Sequence, residues 1–196
     1  MHFVAPSAAN SPFLFNLTAQ KWDYSPLLVM LTGGSIEDYR SSMTSEFFLQ
    51  APSGGFWHAD GNIKISEMSL SRSTHELTLK NPLDMQMNNG KVRIKKFVIE
   101  GPESTLTGQT NDNTAFKLDL GLGGKLDLSI FHFLMPFFED VSGDFSVSMQ
   151  LRANEDKIET VGSSYIDKGY FKLQEFIHPF EDVRADILFN QSSVII

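Results

Sequence analysis

The feature that most restricts this chain is an alternation of apolar and polar residues with a period of two. It is longest in Phe145-Ser146-Val147-Ser148-Met149-Gln150-Leu151. It recurs in Ile63-Lys64-Ile65, Leu83-Asp84-Met85-Gln86-Met87, Val92-Arg93-Ile94 and Phe116-Lys117-Leu118-Asp119-Leu120. Successive side chains of a β-strand point to opposite faces, so each run sets an apolar row on one side and a polar row on the other. The alternation predicts an all-β chain whose strands are one-sided.

Turn chemistry separates the runs. Asn88-Asn89-Gly90, Asn111-Asp112-Asn113 and Asn154-Glu155-Asp156 supply residues that tolerate tight turns, so consecutive strands are expected to be antiparallel neighbours. Ile130, Phe131, Leu134, Phe137 and Phe138 follow a helical spacing, with Ser129 as N-cap and Pro136 limiting the length. They predict one short helix of about two turns near 129–138. Residues 1–55 read as less regular: Phe13, Phe15, Leu17 and Ala19 alternate, Leu27 to Leu31 is a short apolar run, and the links at 32–35 and 51–55 are turns or loops. No composition break divides the chain, which is expected to be a single β segment over 1–196, repetitive from 61 onward. Its final SSVII stops inside an apolar alternation, and its opening MHFVAP carries no basic segment followed by an apolar run. It therefore reads as a segment of a longer protein.

Composition removes several function classes. The formal charge is −8 with a pI near 5.0, and the densest basic stretch is KVRIKK at 91–96, so the electrostatic footprint of a nucleic-acid partner is missing. The absence of cysteine removes disulfides, thiolate zinc sites and cysteine nucleophiles together. The longest apolar run, IFHFLMPFF at 130–138, is far short of the roughly 20 residues of a spanning helix.

A phrase occurs twice, as PFFEDVSGDFSV at 136–147 and PFEDVRADILF at 179–189, bringing Glu139, Asp140 and Asp144, then Glu181, Asp182 and Asp186. Acid–base chemistry needs two carboxyls converging on one substrate in unlike environments. Two equivalent copies point instead to a repeated building element, with Asp140 and Asp182 as turn residues just before strands. Gly143 in the first copy faces Ala185 in the second, which predicts a sharp backbone bend in the first alone. His2, His58, His75, His132 and His178 are scattered without a metal-ligand spacing, and the Asn/Asp clusters lack the alternating oxygen pattern of a calcium loop. The serine pairs at 41–42, 163–164 and 192–193 lack a nucleophile-elbow setting. No catalytic residue, metal or cofactor is expected, and the chain reads as a non-enzyme.

A shorter unit, glycine followed by alternating apolar residues, recurs as Gly61-Asn-Ile-Lys-Ile, Gly90-Lys-Val-Arg-Ile, Gly124-Lys-Leu-Asp-Leu, Gly143-Asp-Phe-Ser-Val and Gly169-Tyr-Phe-Lys-Leu. Each glycine is expected to start a strand. From Gly124 to Ile196, the order of a Gly-Lys-Leu-Asp-Leu strand, a short apolar helix ending near Pro-Phe, glycine-led strands and a closing Phe-Glu-Asp-Val pair resembles the TamB and AsmA-like family of long periplasmic proteins of diderm bacteria. Residues 61–123 are similar less specifically, and 1–55 only in general character. The chain departs from the family pattern at Asn154-Glu155-Asp156-Lys157, where the family often has Asn-Pro, and at Ala185.

The resemblance implies an elongated, curved, mostly antiparallel sheet folded into an open apolar groove, a taco-like β architecture. The whole protein would be anchored in the inner membrane outside this segment and reach through the periplasm. It implies lipid transport in cell-envelope biogenesis, with phospholipid acyl chains moving along the groove between the inner and outer membranes. On that reading the groove is lined by Ile63 and Ile65, Met85 and Met87, Val92 and Ile94, then Phe116, Leu118 and Leu120. It continues through Phe145, Val147, Met149 and Leu151, and ends with Ile187 and Phe189. The 17 phenylalanines and 8 methionines suit a surface that accepts acyl chains of varied shape. A second expectation is a scaffold or chaperone for outer-membrane protein assembly, autotransporters included, which would offer a strand edge to an assembly β-barrel partner by β-augmentation. A membrane β-barrel is disfavoured because runs of five to seven residues fall short of the roughly nine to eleven that span.

Overall fold

A computed structural model describes residues 2–4, 13–33, 39–52, 56–72, 75–133, 135, 137–191 and 193–195. Among them are β1 (His2–Val4), β2 (Phe13–Trp22), helix α1 (Ser25–Thr32), β3 (Tyr39–Ala51), a 3-10 turn Phe56–His58 and β4 (Asp60–Arg72). Next come β5 (His75–Leu79), β6 (Leu83–Asn88), β7 (Lys91–Ile94), β8 (Phe97–Gly101), β9 (Ser104–Thr110) and β10 (Leu118–Asp127). A 3-10 helix Leu128–Phe133 leads to β11 (Phe138–Ala153), β12 (Ile158–Leu173), β13 (Phe180–Gln191) and β14 (Ser193–Ile195). The protein is all-β: one open antiparallel sheet runs from β1 to β14 in chain order.

The fourteen strands form twelve ribbons, because two ribbons are each broken in half. β4 pairs with β5 through Ser69–Arg72 and with β6 through Gly61–Ile65, so β5 and β6 are successive halves of one ribbon. The break is Lys80-Asn81-Pro82, where proline has no N–H for a ladder. β7 and β8 are likewise halves of the next ribbon, broken at Lys95-Lys96. The predicted turns fall where expected. Asn89 and Gly90 take left-handed φ values of 46° and 74° in the β6–β7 hairpin, while 111–117 and 154–157 link β9 to β10 and β11 to β12.

Several expectations need correction. The alternating runs are parts of longer strands: β2 and β10 have 10 residues, β3 and β4 have 13, and β11 and β12 have 16. The length argument against a membrane barrel therefore fails; what the described residues show instead is a sheet that does not close, with β1 and β14 at its ends. The helix expected near 129–138 is a six-residue 3-10 segment, Leu128–Phe133, and Phe138 already opens β11. Its start is capped by Asp127, whose Oδ1 accepts the Ser129 N–H at 2.7 Å, and not by Ser129. Pro136 lies outside the described residues. The apolar run at Leu27 to Leu31 belongs to α1, begun by Pro26 in its first turn and ended by Gly33 in a left-handed C-cap at φ 72°. Gly124, Gly143 and Gly169 lie inside β10, β11 and β12 and start no strand.

Register explains the repeated phrase. Lys168, at φ 53°, is an extra residue in β12. From the pair Asp144 with Asp167 to the pair Ser142 with Tyr170, β11 advances by two and β12 by three. Two β12 residues then oppose Gly143 alone, so Ile166 and Phe171 keep to one side, paired with Phe145 and Val141. Each copy of Glu-Asp returns the register to its original offset. Glu139 is the extra residue between Asp140 with Lys172 and Phe138 with Leu173. In β13 an extra residue falls between Gly169 with Val183 and Phe171 with Phe180, where Asp182 stands at φ 49°. Phe138 and Phe180 thus return to the face of Phe171, and the Phe138 and Phe171 rings are 5.8 Å apart. Asp140 and Asp182 lie within strands, at bulges, and do not form the preceding turns. Gly143 sits opposite the extra residue at φ 126°, where a Cβ would come within 2.7 Å of the Lys168 carbonyl oxygen. Ala185 pairs with Ile166, the last regular pair before the bulge. The positive φ falls at Gly143 in the first copy and at Asp182, not Ala185, in the second.

Candidate binding face

Because residues paired across a ladder share a face, the pairings show which side chains the sheet brings together. Ile63, Met85 and Ile94 form one cross-strand row; Gly61, Met87 and Val92 form the next; Ile65 pairs with Leu83. Further along, Leu118 pairs with Ala153, Leu120 with Leu151, Leu122 with Met149, Gly124 with Val147 and Leu126 with Phe145. Gly162 then joins Met149 to Phe189, and Ser164 joins Val147 to Ile187. Within each of these two groups, all the expected lining residues except Phe116 lie on one face.

Phe116 is a correction. It belongs to the 111–117 link, where the chain bends and β10 begins only at Leu118. Lys117 holds that bend: its N–H reaches Asn154 Oδ1 at 2.8 Å, and its ammonium donates to the carbonyls of Trp57 and Asn89. The Phe116 ring lies 5.6 Å from the Arg152 guanidinium. Arg152 pairs in register with Asp119 and Glu159, so Phe116 sits on the polar side. There Asp119, 3% exposed, accepts from Gln150 at 2.5 Å, and Gln150 in turn accepts from Arg152 at 3.0 Å.

The apolar face is wider than the expected list. Phe15 with Leu49 and Leu17 with Phe47 extend it into β2 and β3, and Ile99 with Leu106 into β8 and β9. The β2 alternation was visible in the sequence. In β3 it was hidden because Phe48, beside Phe47 and Leu49, points to the other side.

The sheet bends toward this face. A Cβ on Gly61, Gly124 or Gly162, all on the apolar side, would lie 2.3, 2.1 or 2.2 Å from a carbonyl oxygen of the adjacent strand. On the polar side, Gly121 and Gly123 have nothing nearer than 3.7 and 3.8 Å. Backbone crowding confined to one side marks the inside of a curve. The face is also open. Met87, Val92, Leu126 and Val141 are buried, but Ile63, Met85, Leu120, Phe145, Val147 and Ile187 are only half-buried.

The carboxylates of the repeated phrase do not converge. Glu139 lies 3.7 Å from Lys172, and Arg184 bridges Asp182 and Asp167 at 3.5 and 3.2 Å, all at exposed or half-buried positions. Among the described residues no three His, Asp or Glu side chains gather to hold a metal. The resolved pKa shifts belong to the start of α1. Hydrogen bonds from Ser25 and Ser41 hold Asp23 below the usual carboxylate value, and burial together with the Asp23 charge pushes Tyr24 up to about 12. Compared with profiles of protein families, with curated proteins and with solved structures, the chain has no match.

Proposed function

We propose that this chain is a segment of a TamB/AsmA-like trough in the periplasm, carrying phospholipid acyl chains between the inner and outer membranes without a catalytic step, with the membrane anchor elsewhere in the protein. The observation that carries this reading is the apolar, inward-curved face running across the ribbons. Twelve ribbons spaced by about 4.8 Å extend over roughly 53 Å, longer than the roughly 30 Å of a bilayer core. Each acyl CH₂ removed from water is worth about 0.8 kcal/mol, so a tail follows a continuous apolar track while its headgroup stays in solvent. The turns at 89–90, 111–117 and 154–157, rich in Asn, Asp and Lys, give the trough a polar rim on which a headgroup can rest. Native mass spectrometry of the chain mixed with phospholipid vesicles is expected to show phospholipid adducts. Met149→Glu should remove them without loss of β circular dichroism. A wild-type chain with no adducts contradicts the reading.

A second reading rests on a different observation, the open ends of the sheet: among the described residues β1 and β14 each pair on one side only. Such edges suit β-augmentation in outer-membrane protein assembly, with an assembly β-barrel protein as partner. Cross-linking that captures this barrel at the edges, together with an apolar face that takes no lipid, would favour it.

A further inference from the structure

The polar side of the sheet gathers cations in a chain whose net charge is −8. Gln86 pairs with Arg93 and Asn88 with Lys91, so all four project away from the apolar row of Met85, Met87, Val92 and Ile94. The bend at 111–117 brings Phe116 and Lys117 beside them. Together these residues line a hollow of about 490 Å³, within the roughly 300–1,000 Å³ of small-molecule sites, and no Asp or Glu among the described residues lines it. Lys91 donates to the carbonyls of Asp112 and Thr114 at 3.2 and 3.0 Å, and Lys117 to those of Trp57 and Asn89. An ammonium carries three donors, so one remains on each, its charge held in place but not neutralised.

Asp112 approaches the Arg93 Nε at 3.5 Å, while the terminal nitrogens of Arg93 and the side-chain amides of Gln86 and Asn88 have no hydrogen-bond partner among the described residues. The Phe116 ring, with the Arg152 guanidinium 5.6 Å from its centre, adds an apolar wall. We infer that this hollow binds a sugar phosphate. Three cations less the Asp112 carboxylate leave a charge of +2, which matches a phosphate monoester of about −2 seated on Lys91, Arg93 and Lys117. The amides of Gln86 and Asn88 exchange hydrogen bonds with the sugar hydroxyls, and the C–H face of the sugar ring stacks on Phe116. A bare anion uses neither the amides nor the ring. The site lies on the side of the sheet opposite the trough and does not depend on it.

The test titrates the full chain with glucose 6-phosphate, glucose, inorganic phosphate and glycerol 1-phosphate, the last standing for a phospholipid headgroup. Glucose 6-phosphate is expected to bind about tenfold more tightly than each of the other three. Arg93→Gln, at an exposed position, should weaken it about tenfold with the β circular dichroism unchanged. Phe116→Leu should weaken glucose 6-phosphate and leave inorganic phosphate as it was. Lys125→Gln, elsewhere on the polar side, should change neither. Equal binding of inorganic phosphate or glycerol 1-phosphate, wild-type affinity in both Arg93→Gln and Phe116→Leu, or no binding of glucose 6-phosphate overturns the assignment; phospholipid adducts on the apolar face are unaffected by any of these outcomes.

Discussion

The blocks β4–β8 and β11–β13 meet the same difficulty and solve it differently. Each contains extra residues that would slip the register of a long antiparallel ladder. In β11–β13 the single extra residue, Lys168, is answered on both flanks, by Glu139 and by the bulge at Asp182, and the strands stay continuous. In β4–β8 the bulge of β4 near Ser66 has no matching single residue in the next ribbon. That ribbon breaks at Lys80-Asn81-Pro82 and the following one at Lys95-Lys96. Both blocks still place their apolar side chains on one face. A one-sided sheet of this length tolerates irregularity provided each extra residue bulges out and the apolar pairs beyond it keep their face.

The largest effect that could break this comparison is Val141→Asp. Val141 is 1% exposed and pairs with Phe171 between the bulges at Lys168 and Glu139, so a carboxylate there should cost roughly 3–5 kcal/mol in chemical denaturation. A loss under about 1 kcal/mol would show that the apolar face is not continuous across these bulges.

Gly143→Ala should cost about 2 kcal/mol, because it combines a left-handed φ with a contact to the Lys168 carbonyl, whereas Ala185→Gly should cost only about 0.5–1 kcal/mol. Equal losses at the two positions would remove the asymmetry between the copies of the phrase. In the other block, Pro82→Thr should change stability by less than about 1 kcal/mol, since the ladder is already interrupted on both sides of it. An effect confined to alkaline pH lies outside both blocks, at α1. The Tyr24 hydroxyl donates to the Ser69 carbonyl at 2.9 Å, and its folded pKa is raised from 10.0 to about 12. The stability it contributes is therefore complete below pH 10 and is lost as the pH rises toward 12. Tyr24→Phe should abolish that alkaline slope in a melting-temperature profile.

The face was legible in the sequence because a period of two survives in short runs such as Phe145 to Leu151. The strands were read short because bulges at Ser66, Glu139 and Lys168 and the glycines at 121–124 interrupt the alternation without ending the ladder. Whether an extra residue ends a strand or bulges from it is decided by its partner strand, which no single run displays. The repeated phrase was visible as a repeat, but its purpose was not, since Glu139 and Asp182 answer a residue on the strand between them. Phe116 followed the alternation and still left the face, because Lys117 and Asn154 hold the chain in a bend. The signals for α1 were present in Pro26 and Gly33; the residues between them were read only as a short apolar run.

The central claim is that one apolar track crosses both blocks and takes lipid along its length. Photo-crosslinking residues at Met85 and Val147, one in each block, with their opposite-face neighbours Gln86 and Ser146 as controls, test it most directly. Capture of phospholipid in cells at Met85 and Val147, and not at Gln86 or Ser146, is the expected result. Capture at only one block, equal capture on both faces, or no lipid at any of the four positions would contradict it.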